Sequence, residues 1–208
     1  MMDVIEFPNP RHSTKEGLVA VGGSLNLETL RSAYRKGIFP WPQEGLPPLW
    51  FSPDPRGVLD FKEFHVPRSL KKFAKKNNWM FTLNEAFSEV VRACQQQVRP
   101  GQTGTWIVPD MVPAYEKLYE SGEALSLECW RDGVLVGGIY GVLIDGLFSG
   151  ESMFHHVDNA SKLALWRLVD HLRSLGHTWM DIQMVTDVTR QMGGKYIARE
   201  EFLQRRGV

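Results

Sequence analysis

The sequence predicts an α+β protein with a central, mostly antiparallel sheet. Residues 123–154, EALSLECWRDGVLVGGIYGVLIDGLFSGESMF, hold three apolar runs parted by Asp132-Gly133 and Asp145-Gly146. Asp-Gly between such runs is a strong two-residue hairpin signal, so this stretch predicts a three-stranded meander. A strongly periodic helix follows in DNASKLALWRLVDHLRSLG, 158–176, with Ala160, Leu163, Ala164, Leu168, Leu172 and Leu175 at helical spacing. TWMDIQMV, 178–185, then reads as another strand. Meander, helix and strand in that order make an α+β fold rather than a βαβ array.

The remaining elements fall around this core. Residues 1–60 are rich in Pro and Gly (FPNP, GGSL, GIFPWPQEGLPP, SPDPRG) and predict a smaller, irregular N-terminal domain that wraps the larger one, 61–208. One helix stands out there, about 26–36, with Asn26 as its cap and Gly37 as its stop. VPRSLKKFAKKNN, 66–78, has Leu70 and Phe73 on an inner face and lysines around the rest. Residues 83–97 and 108–122 read as helices, with Asn84 and Asp110 at their starts and Asn159 capping the long helix. The Gly137-Gly138 pair predicts a bulge or a backbone that something approaches closely. After 185 a short helix, a Gly-Gly turn and a last strand or helix are expected.

The totals narrow the function. The chain has 208 residues, 43% hydrophobic and 23% charged, and its formal net charge is zero. No global field draws in nucleic acid, so any such contact needs a local patch. Cys94 and Cys129 form no CxxC and read as reduced, buried thiols of a cytosolic protein. The opening MMDVIEFPNPRH has no apolar signal-peptide core, and the run near VLVGGIYGVLI is too short and glycine-rich to span a membrane.

Four constellations could carry chemistry. Arg68, Lys71, Lys72, Lys75 and Lys76 gather positive charge on one helix, enough for several phosphates; a solvated helix face is the plainer reading. Asp181 and Gln183 lie two apart on a strand and therefore share a face, an acid beside an amide that can orient a nucleophile or hold a carbonyl. Glu151 and Met153 share a face of the GESMF strand, with Phe154 opposite, which places an acid beside apolar walls. Tyr34, Phe39, Trp41, Trp50, Phe51 and Trp106 flank turns, where aromatics line pockets or stack bases as well as fill cores. His155-His156 has no third ligand at suitable spacing, so no metal is expected.

Taken in order, GLVAVGGSLNLETLRSAYRKGIFPW, WFSPDPRGVL, GTWI, AYEKLYESGEALSLECWRDGVLVGGIYG, LFSGESMFHHVDNASKLAL and DIQ…MGG…IAREEF resemble the leucyl/phenylalanyl-tRNA–protein transferases, from about Phe7 to Phe202. The resemblance implies an aminoacyltransferase of the bacterial N-end rule, a cytoplasmic enzyme expected to be a monomer. It would take Leu or Phe, less well Met, from aminoacyl-tRNA and join it to proteins with N-terminal Arg or Lys, creating a degradation signal. It implies an acetyltransferase-like (GNAT) fold for the larger domain, and no cofactor. Carried onto matching positions, Asp181 and Gln183 would be the catalytic pair, Asp181 holding the acceptor amine, with Glu151 favouring a cationic acceptor. Met153 and Trp106, with Phe148, Ile139 and Leu168, would line the aminoacyl pocket. Trp41 would stack on the terminal adenosine with Tyr34 nearby, and the basic helix 68–76 would meet tRNA phosphates.

The chain departs from the family pattern at Ile182, where the family has Cys, and at Thr186, His155 and Ser24. A GNAT-fold acetyltransferase would need a pyrophosphate loop before a helix, and the nearest match, RQMGGK at 190–195, ends in Lys195 and follows the D-I-Q strand. A non-catalytic tRNA-binding relative is the other alternative.

Overall fold

The computed structural model describes residues 5–43, 45–76, 78–98 and 105–208. Asn77, at the end of the lysine-rich run, and Gly104 of GTWI lie outside them, as do residues 1–4 of the opening segment.

The chain begins with a small antiparallel sheet. Strands β1 (Leu18–Val21), β2 (Phe39–Pro40) and β3 (Leu49–Phe51) pair in the order β1-β3-β2. Helix α1 (Leu27–Arg35) lies between β1 and β2. It starts as its sequence asks: the Asn26 side chain accepts from the Thr29 N–H at 2.8 Å. It stops at Gly37, whose φ is +70°. A Cβ there would also lie 2.7 Å from the Phe202 ring, so both conformation and space select glycine.

The larger sheet has seven strands: β4 (Arg56–Asp60), β5 (Trp79–Leu83), β6 (Ala124–Arg131), β7 (Val134–Ile144), β8 (Leu147–His155), β9 (Trp179–Gln183) and β10 (Lys195–Ile197). Their order is β10-β4-β9-β8-β7-β6-β5, antiparallel throughout except for the parallel β8–β9 pair. The meander is there: β6, β7 and β8 are joined at Asp132-Gly133 and Asp145-Gly146, with all four residues at positive φ as such turns require. A chain division at residue 60 would leave β4 with the first segment, yet β4 sits inside the large sheet between β9 and β10.

Helices cover both faces. On one face lie α2 (Arg68–Lys76) and α5 (Ala160–Ser174), over Leu125, Leu127, Ile139, Phe148 and Met180. On the other, α1, α3 (Phe87–Gln96) and α4 (Met111–Glu120) close over Tyr140, Val142 and Phe154. Each fully buried Leu or Phe stabilises by about 1.5–3 kcal/mol, so both faces contribute. The Gly137-Gly138 pair is approached closely, as expected: a Cβ on Gly137 would lie 2.5 Å from that of Ala160 at the start of α5.

Two expected caps are different. Asn84 accepts from the Ser126 N–H at 2.9 Å and ties the β5–α3 turn to β6 instead of capping α3. Asn159 adopts φ +67° and makes no side-chain cap bond. Both sit in left-handed turns, which asparagine tolerates better than most residues. Asp110 stands directly before α4, where that helix was expected to begin, and makes no side-chain cap bond.

After β9 come the short α6 (Asp187–Gln191), β10, and α7 (Arg199–Arg206). Helix α7 clasps the start of the chain: Glu200 receives two hydrogen bonds from Arg11, and Arg206 reaches the Tyr34 and Ile144 carbonyls. Both cysteines are buried and outside any disulfide, and burial pushes the Cys129 thiol up to about 12. Among the described residues no helix is long and apolar enough to cross a membrane.

Candidate active site

The parallel strands β8 and β9 are in register only at Ser149 and Asp181. Beyond that point each strand departs from regular geometry, and the polar residues gather there.

In β8 the departure is a bulge. Gly150 faces Gly141 and Ser152 faces Tyr140, which leaves Glu151 as the extra residue with no partner on β7. The bulge resets the side-chain alternation. Glu151 turns toward α4, where the Tyr115 hydroxyl donates to Oε2 at 2.7 Å. Met153 packs instead with the core beneath α5, while Phe154 joins the core beneath α1, α3 and α4. The shared face expected for Glu151 and Met153 is therefore absent, because alternation holds only in an unbulged strand.

In β9 the departure is a turn. Met180 and Ile182 face the α5-side core, and Asp181 and Gln183 face the other way. Gln183 has φ +51°, and the Met184 N–H donates to the Ile182 carbonyl at 2.5 Å, a three-residue γ-turn with Gln183 at its apex. A non-glycine residue held in that region marks backbone strain. Asp181 braces it: Oδ1 accepts from the Gln183 N–H at 2.9 Å. The Gln183 amide then donates to Glu151 Oε1 at 3.1 Å. Thr186 caps α6 directly after the turn, its hydroxyl accepting from the Thr189 N–H at 3.2 Å.

Two groups flank this pair. On one side, the Tyr34 and Tyr115 hydroxyls lie 2.8 Å apart and extend the chain from Glu151 into α1. On the other, the Arg56 guanidinium grips Asp181 with Nε–Oδ1 2.9 Å and Nη2–Oδ2 2.6 Å, both side chains being 1% exposed. Ser149 Oγ donates to Asp181 Oδ2 at 3.3 Å. A single network thus runs Tyr34–Tyr115–Glu151–Gln183–Asp181–Arg56.

The two carboxylates differ sharply. Burial pushes the Glu151 carboxyl up to about 7, against hydrogen bonds from Tyr115 and Tyr34 that pull it down; the Asp181 charge adds to the rise and Arg56 opposes it. Asp181 has its oxygens occupied by Arg56, Ser149 and the Gln183 N–H. Both of its oxygens are thus engaged, and the side chain is 1% exposed. Burial and the Glu151 charge hold the Tyr34 and Tyr115 phenols well above their usual range, so both stay protonated.

The apolar residues expected to share one pocket divide between the two faces. Met153, Ile139, Phe148 and Leu168 belong to the core under α5, the last three closed off from solvent. Trp106 lies on the opposite face, stacked on Trp41 with centroids 5.1 Å apart and planes 13° apart. Tyr34 is 5% exposed and offers no stacking face to a base. Arg68, Lys71, Lys72, Lys75 and Lys76 are all exposed along α2 and enter no ion pair among the described residues. Among the described residues no group of three His, Cys, Asp or Glu side chains is placed to hold a metal.

Sequence reasoning missed Arg56, Tyr115 and Ser149. Arg56 stands in SPDPRG, which reads as a turn, yet it opens the strand RGVLD; Tyr115 reads as one more core position of its helix. An arginine beginning a short apolar run was the available signal.

Comparison with known proteins agrees with the motifs. The family model for leucyl/phenylalanyl-tRNA protein transferase matches residues 58–206, and the model for the N-terminal domain of that family matches residues 23–54. A leucyl/phenylalanyl-tRNA–protein transferase of Pectobacterium atrosepticum is 46% identical over 202 residues, covering 96% of this chain and 85% of its own. One from Flavobacterium psychrophilum is 44% identical over 200 residues, covering 96% and 95%. Among solved structures, a ribosomal-protein-alanine N-acetyltransferase of Brucella melitensis superposes with TM-score 0.40 at 17% identity, covering 55% of this chain and 87% of its own. The matches in sequence extend over both the small sheet and the large one, and on them the chain belongs to the leucyl/phenylalanyl-tRNA–protein transferase family.

Proposed function

We propose that the protein transfers Leu or Phe, and less well Met, from aminoacyl-tRNA to the α-amino group of proteins with N-terminal Arg or Lys. The observation that carries this reading is the Gln183–Glu151 pair at the parting of β8 and β9, an amide held 3.1 Å from a carboxyl pushed up to about 7. An aminoacyl ester is already activated, so the enzyme's task is to place a neutral amine beside it and take up a proton. The amine nitrogen attacks the ester carbonyl, the C–N bond forms, and the C–O bond to the ribose breaks. The nitrogen's proton passes to the Glu151 carboxylate and from there to the departing ribose oxygen, which leaves as the hydroxyl and returns Glu151 to its ionised form. Gln183 orients the amine between them, and Glu151 favours a cationic acceptor.

The Trp41–Trp106 stack supports a donor site on the same side of the sheet as Tyr34 and Tyr115, since all four pack on one core. The terminal adenosine would stack at Trp41. Exposed lysines on α2 support contact with tRNA phosphates. Changing Lys71, Lys72 and Lys75 to Glu is expected to weaken tRNA binding and lower its salt slope by about 3, one for each lost phosphate contact. Filter binding across a salt series checks this, and an unchanged slope would move the tRNA footprint off α2.

The function is tested with labelled Leu-tRNA or Phe-tRNA and two model proteins that differ only at the N-terminus, Arg against Ala. Label on the Arg protein alone is expected. Acetylation from acetyl-CoA without label from tRNA would replace this reading with an acetyltransferase.

A further inference from the structure

We propose that Arg56 is a positioning residue for transfer, holding Asp181 so that it keeps the Gln183 turn in its strained, left-handed form. This rests on the reading of Gln183 and Glu151 as the site. The guanidinium uses its whole fork: Nε and Nη2 to Asp181, and Nη1 to the Gly37 carbonyl at 3.1 Å. It is flanked by the rings of Phe39 at 4.7 Å and Phe202 at 4.4 Å. A buried ion pair is weak evidence for stability, because apolar replacements of similar volume do as well. A pair that is 1% exposed on both sides and clasped by three elements is explained by what it orients.

The neighbouring residue points the same way. A Cβ on Gly57 would lie 2.9–3.0 Å from the Met184 backbone atoms, so β4 provides the clearance for the turn. Its register with β9 shifts between Gly57 and Val58, next to Gln183 and Asp181. One strand therefore supplies both the charge that braces the turn and the space the turn occupies. Lysine cannot replace the fork, since a single ammonium makes neither the bidentate grip nor the third bond to Gly37 in a fixed plane.

The test compares kcat and KM of Arg56→Lys, Asp181→Asn and both together, with thermal melting to confirm folding. Expected for folded Arg56→Lys is a kcat lower by about 100-fold, with KM for both substrates within about twofold. Adding it to Asp181→Asn should cost nothing further, since both act through one pair. Retained kcat, a loss expressed in KM, or additive losses would overturn the proposal. Should Arg56→Lys not fold, the neutral pair Arg56→Gln with Asp181→Asn leaves no unpaired buried charge: folded and inactive supports the proposal, folded and active overturns it. Gln183→Ala serves as the control. Full activity there would sink the site reading itself, whereas an inactive Gln183→Ala beside an active Arg56→Lys would sink only the role of Arg56.

Discussion

Asp181→Ala is expected to lose transfer altogether and to melt well below the parent protein. The substitution leaves the Arg56 guanidinium 1% exposed with no counter-charge. Breaking a buried pair from one side typically costs about 3–5 kcal/mol. For a chain of 208 residues each kcal/mol moves the midpoint by about 2–4 °C, so a fall of about 6–20 °C should appear in a calorimetric scan. Binding of tRNA, measured below the new midpoint, should stay near the parent value, because α2, which carries the exposed lysines, packs with α5 on the opposite face of the sheet from Asp181. An equal loss of tRNA binding and transfer would remove Asp181 from the chemistry.

Glu151→Gln is expected to lower kcat by about 100- to 10,000-fold, the usual worth of a positioned proton acceptor. The pH dependence separates this from a packing defect. A carboxyl at about 7 is largely protonated at pH 6 and ionised at pH 8, so parent activity should rise through neutrality as Glu151 becomes able to accept a proton. The acceptor's own amine titrates near 8 and contributes a second limb. In Glu151→Gln only that second limb should remain. Stability runs the other way. The folded carboxyl holds its proton more tightly than the unfolded one, so this group's contribution is present below about 4.5 and is lost as pH rises through about 7. A variant whose profile keeps both limbs would show that Glu151 is not the titrating group. The groups facing it are Tyr115 from α4, Tyr34 from α1, and Asp181 and Arg56 from β9 and β4.

The fold was legible where local chemistry dictates the backbone. Two Asp-Gly turns set the meander, Asn26 and Gly37 bounded α1, and the periodicity at 160–172 set α5. The site was legible in its residue types but not in its directions. Asp181 and Gln183 do share a face, opposite Met180 and Ile182, although the register with β4 shifts between them. Glu151 and Met153 do not, because one unpaired residue in β8 reverses the alternation, and the register with β7 that creates it is a tertiary fact. The same reversal puts Met153 with Ile139, Phe148 and Leu168 across the sheet from Trp106. Arg56 was hidden because its partner is 125 residues away, beyond any local signal.

That separation matters while the protein is being made. Strand β4 is made well before both of its neighbours, β9 and β10, which come from residues 179–197. At about 5–20 residues per second, Arg56 precedes Asp181 by about 6–25 s. Through that interval β4 has two bare edges, and late, non-local closure of this kind is slow. The strand is only five residues long, and its apolar centre is bracketed by Arg56 and Asp60, charges that discourage nascent chains from pairing with one another. Until β9 arrives, neither the Gln183 turn nor the Asp181–Arg56 pair can form.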